Sequence, residues 1–122
     1  MKVGHIELEG VQHPLCFSLA AADELEEAFG SMEAMEEALT SDSIRVFARA
    51  MDTTMAALMK AGRIRAAAVG EELPPPITCR PIDLIGVNDN RAIIAIYQTI
   101  KRDSDTTVEV AGKNAQARQD EA

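Results

Sequence analysis

The chain has 122 residues, 47% of them hydrophobic and 26% charged, with a formal net charge of −8. That is the length of one ordinary domain and the composition of a globular one, and no apolar run approaches the roughly 18 residues needed to cross a bilayer, so no membrane partner is expected. An acidic chain whose few aromatics are Phe17, Phe29, Phe47 and Tyr97 has no basic stripe interleaved with stacking rings, which excludes nucleic acid as a partner class.

The first elements read as strands. Val3, Ile6 and Leu8 mix with charge up to Glu9, Gly10 and Pro14 punctuate, and Leu15-Cys16-Phe17-Ser18-Leu19 alternates with Leu15, Phe17 and Leu19 on one face. This predicts an amino-terminal strand pair, the second strand lying over 15–19. Helix formers take over from Ala20 to Phe29, with Leu25 and Phe29 sharing a face, and Gly30 supplies a carboxyl-terminal cap. Ser31 then caps a shorter helix in which Met32, Met35 and Leu39 repeat at i, i+3 and i+7, ending near Thr40.

The longest pattern follows. Ser41, Asp42 or Ser43 is placed to cap a helix whose stripe is Ile44, Phe47, Ala48, Met51, Met55, Leu58 and Met59, with Gly62 as a candidate interruption and helix formers resuming up to Gly70. Leu73-Pro74-Pro75-Pro76 excludes helix and requires an extended connector. A short helical turn opens with Pro81, and Asn88 or Asp89 caps a last segment carrying Ile93, Ile96, Tyr97 and Ile100. That segment is β-branched enough to suit a strand, and its length favours helix. The fold class expected is α+β, mostly α: a short hairpin and four to five helices in one compact domain over 1–102, followed by a mobile acidic tail over 103–122.

Charge is unevenly divided. Residues 1–43 hold ten acids and one base, whereas 44–65 hold five bases and one acid, so the acidic first third is expected to lie against the basic helix. The amino end carries Glu7 where a secretory signal would be uninterruptedly apolar, which predicts a cytoplasmic chain. Two cysteines, Cys16 and Cys79, are too few for a disulfide framework and read as reduced.

Chemistry is sparse. His13 and Cys16 are three apart and His5 and Cys79 complete four ligands only on paper, with no CxxC or HxxxH spacing, so no metal is expected. Glu26-Glu27 and Glu36-Glu37 have the look of solvated helix faces rather than tuned acid–base pairs. No phosphate-cradling glycine motif occurs, and no cofactor and no catalysis are expected.

The alternating Leu15–Leu19 stretch, the run Ala22-Asp23-Glu24-Leu25-Glu26-Glu27-Ala28-Phe29-Gly30, the short helix after Ser31, the long helix, the proline linker and the final helix together resemble the small tail assembly chaperones of long-tailed bacteriophages, prophages and gene transfer agents, over about residues 5 to 102. The resemblance implies a non-catalytic protein of the bacterial cytoplasm. It would bind the tape measure protein and help recruit tail tube subunits, with self-association left open. On this reading the partner-binding surface includes Met32, Met35 and Leu39, or the Met51, Met55 and Met59 stripe, whichever the fold leaves uncovered. The family often has a longer form made by ribosomal slippage, which would fall here near Gly112-Lys113-Asn114. Two other classes stay open: another acidic adaptor, antitoxin-like or secretion-chaperone-like, and an enzyme built around His5, His13 and Cys16.

Overall fold

A computed structural model describes residues 3–104 of the chain. Two strands, β1 (Gly4–Leu8) and β2 (Val11–Leu15), pair antiparallel from Gly4↔Leu15 to Leu8↔Val11. The two residues between them, Glu9 and Gly10, both have positive φ, as a two-residue hairpin turn with the right twist demands. The hairpin is thus displaced from the expected strand over 15–19. Pro14, read as a stop, sits inside β2, where a two-stranded sheet has only edge positions and tolerates a missing donor. Leu19 is not a strand residue but the first of α1 (Leu19–Phe29), and 88% of it is exposed.

Local capping explains the helix boundaries. The Ser18 hydroxyl accepts from the Ala21 amide at 3.2 Å to start α1, and Gly30, at φ 88°, ends it by donating to the Glu26 carbonyl. Ser31 caps α2 (Met32–Leu39) through the Ala34 amide at 3.0 Å, and Ser43 caps α3 (Ile44–Ala68) through the Val46 amide at 3.3 Å. α3 is unbroken for 25 residues and packs against β2, α1, α2 and the 3-10 turn Pro81–Leu84. Its buried residues begin at Ala50, so Ile44, expected in the apolar stripe, stands 68% exposed on the first turn.

Gly62 does not interrupt α3; it is where the hairpin touches it. A Cβ there would overlap the Pro14 carbonyl and come within 2.7 Å of the Leu15 Cα. One helical turn earlier, the Leu58 carbonyl accepts from the Cys16 amide at 3.1 Å. Strand and helix therefore meet backbone to backbone, an approach open only to glycine.

The last helix, α4, occupies 91–104 of the described residues, which resolves the strand-or-helix ambiguity in favour of helix. Its first amide, that of Arg91, donates to Asp89 Oδ1 at 3.0 Å, and the Arg91 guanidinium holds the same carboxylate. That side-chain hydrogen bond, with the backbone one, pulls the Asp89 carboxyl down to about 2. The buried face of α4 is Ala92, Ile96, Thr99 and Asp103, spaced at i, i+4, i+7 and i+11.

Asp103, expected to open the mobile tail, is instead 1% exposed inside α4, and its Oδ2 accepts from the Phe17 amide at 2.7 Å. The domain boundary placed at 102 therefore falls within a helix. The rest of the expected tail, with Gly112, Lys113 and Asn114, lies outside the described residues.

Two substitutions test these contacts by urea unfolding. Alanine for glycine within a helix ordinarily gains up to about 1 kcal/mol, but Gly62→Ala should lose at least about 2 kcal/mol through overlap with Pro14 and Leu15. Asp103→Ala strands the Phe17 amide and should cost about 2 kcal/mol; an unchanged midpoint would show that α4 does not pin the β2–α1 junction.

Candidate functional site

The six residues expected to meet a partner are mostly sealed. Met35, Leu39, Met51, Met55 and Met59 are all buried in one core cluster with Leu15, Leu25 and Leu58, and Met32 is half-buried against it. The methionine stripe is core because α1, α2 and β2 all pack on α3 and cover it. Of the six, Met32 alone keeps part of its surface open; the other five are core in this fold.

Of the residues considered for catalysis or metal binding, His13 and Cys79 share a cleft, and His5 and Cys16 do not line it. His5 contacts Glu71, just beyond α3, through Nε2. Cys16 is buried, and burial together with the Asp103 charge pushes its thiol up, away from the thiolate. His13 is 3% exposed and lines a cleft beside Cys79. Among the described residues, no group of three or more His, Cys, Asp or Glu converges as a metal shell would.

The open apolar surface lies between α1 and the second half of α3. A groove of 290 Å³ has Ala57, Ala61, Ile64 and Ala68 on one wall and Ser18, Ala20 and Ala21 on the other. The α3 wall repeats at i, i+4, i+7 and i+11, which spans roughly 16 Å, or three helical turns, at 1.5 Å per residue. Ile64 is 66% exposed, and Leu19 stands exposed at the start of α1. Glu24 and Lys60 also line the groove and pair across it at 2.7 Å, with Arg65 beside them.

Alanines make this groove. A wall of side chains one carbon long leaves room for a ridge of larger residues from elsewhere, as ridges-into-grooves packing requires. The signal was present in the sequence as the 57, 61, 64, 68 spacing, but alanine is weakly apolar and the methionines nearby carried the stronger pattern. Comparison of the chain with family models, with curated proteins and with solved structures gives no match.

His13 supplies a test of the fold through pH. Burial first, and the Arg63 charge second, hold its pKa below the ordinary 6.5. The unfolded chain thus binds a proton at this residue more readily than the folded one, so its contribution is complete above about pH 6.5 and is lost as pH falls through the depressed value. Thermal melts at about pH 7.5 and 5.5 should show the native chain less stable at the lower pH, and His13→Gln should flatten that slope; an equal slope in the variant would remove His13 as its cause.

Proposed function

We propose that this chain is a non-catalytic tail assembly chaperone of a phage, prophage or gene transfer agent, which holds a helical stretch of the tape measure protein while tail tube subunits are recruited. The reading rests on the family resemblance of the sequence, and one structural observation supports it: an alanine-walled groove three helical turns long, with Ile64 open to solvent on its wall. A groove of this kind suits one apolar ridge of an amphipathic helix, whose side chains at i, i+3 or i+4 and i+7 would fill the space above Ala57, Ala61 and Ala68.

The small size of the groove fits a transient partner. A contact of about three turns gives a weak single site, and a tape measure long enough to bind many copies would gather them by repetition rather than by individual affinity. Release then needs no dedicated machinery. No helix among the described residues is long and apolar enough to cross a membrane, and the bacterial cytoplasm, where tails are assembled, is part of the proposal.

The test is co-purification of the full chain with fragments of the tape measure protein encoded near it. Ile64→Asp places a charge on the open wall and should weaken the complex by roughly tenfold or more, the expectation for a lost aliphatic contact. Ala20→Trp, at an exposed position, should block the groove without entering the core. Because the contact is mainly apolar, the complex should persist when salt is raised to about 0.5 M. Binding that survives both substitutions would dismiss the groove, and absence of any tape measure complex would dismiss the function.

A further inference from the structure

A second cleft, of 180 Å³, lies where α3, β2 and the proline-rich connector meet. Met59, Ile77 and Pro81 give it apolar walls, and four polar side chains line it: His13, Lys60, Arg63 and Cys79. The chain carries 20 acids against 12 bases, yet the charged groups lining this cleft are both cations. Lys60 reaches Glu24 at 2.7 Å, and Arg63 Nη1 is held by the Pro74 carbonyl at 2.7 Å, which fixes the guanidinium at the cleft while using one of its five N–H donors.

His13 is the second observation. Its ring lines the cleft, the residue is 97% out of contact with bulk solvent, and no described residue hydrogen-bonds to it. With no protein partner and no nitrogen among the sealed polar atoms, the imidazole has its polar edge open to the cleft and free to meet whatever occupies it. Burial and Arg63 keep this ring neutral, leaving one N–H to donate. Nearby cations disfavour a metal ion, and the largely apolar walls disfavour a fully hydrated inorganic anion.

We infer that this cleft binds a carboxylate carried on a short apolar group, the carboxylate meeting Arg63 and the His13 N–H while the apolar group sits among Met59, Ile77 and Pro81. The volume corresponds to about six water-sized groups, which matches a short branched acid or the last residue of a polypeptide. This site is separate from the α1–α3 groove and does not depend on the function proposed for it.

The experiment uses the full chain, isovalerate as probe, and two readouts: the NMR resonances of the His13 ring and the rate at which iodoacetamide alkylates the exposed Cys79. A saturable His13 shift is expected, with a dissociation constant on the order of 1 mM, the range for so small a ligand. Occupancy should also slow Cys79 alkylation several-fold. It should raise the His13 pKa, because the bound charge offsets that of Arg63, the cation that lowers it; Lys60, paired with Glu24, and Cys79 are the other titratable groups lining the cleft. Arg63→Met should weaken binding about tenfold through loss of a charge-assisted hydrogen bond. Ala56→Phe, at an exposed position in the cleft wall, should abolish both responses with the fold intact.

A tripeptide ending in leucine separates the two sources. Tighter binding of the peptide acid than of isovalerate assigns the cleft to a polypeptide terminus, and the reverse order assigns it to a free acid; either supports a carboxylate site. An equal response to isovaleramide, a response unchanged in Arg63→Met or Ala56→Phe, or no saturable shift with an unaltered Cys79 rate overturns the inference and leaves water as the occupant.

Discussion

The contact between Gly62 and the backbone of Pro14 and Leu15 is the constraint from which the rest of the molecule is arranged. With no side chain between them, β2 lies directly on α3 and the Cys16 amide reaches the Leu58 carbonyl. The chain then leaves the strand in one direction only. Phe17 meets Asp103 of α4 and Ser18 begins α1, so the position of one glycine governs how the hairpin, the first helix and the last helix are placed around the long one. Close packing makes such a contact unforgiving, because a single added methyl has nowhere to go.

Much of this fold is written locally. The serine caps at positions 18, 31 and 43 and the glycine at 30 act within a few residues of themselves, which is why the helices were legible before their neighbours were known. The hairpin register was less legible. Pro14 reads as a break in isolation, and only the two-stranded sheet, which leaves it without a required donor, makes it a strand residue. Asp103 was illegible for a different reason: its partner lies 86 residues away, and an acid near the end of a charged segment gives no local sign that it is buried.

The site was harder to read than the fold. Periodicity shows which face of a helix is apolar, but not whether another element covers it. Met51, Met55 and Met59 were the most apolar part of α3 and for that reason became core. The groove that stays open has Ala57 and Ala61 at its base, both buried, with Ala68 and Ile64 exposed beside them, and the low hydropathy of alanine hides this row beside methionine and leucine. The groove is thus marked by residues that are buried yet too short to fill the space above them.

Charge completes the picture of the groove. The acidic first third and the basic helix do meet, and the ion pair joining α1 to α3 is Glu24 with Lys60, both exposed in part. A pair of this kind contributes at most about 1 kcal/mol and does not clamp two helices together. What holds α1 beside α3 is the burial of its apolar face, with Leu25 fully buried, while the short alanine side chains lining the groove leave the crevice unfilled. Larger residues at those positions would close the crevice and add buried area, but they would also remove an apolar surface shaped to take a ridge from another helix.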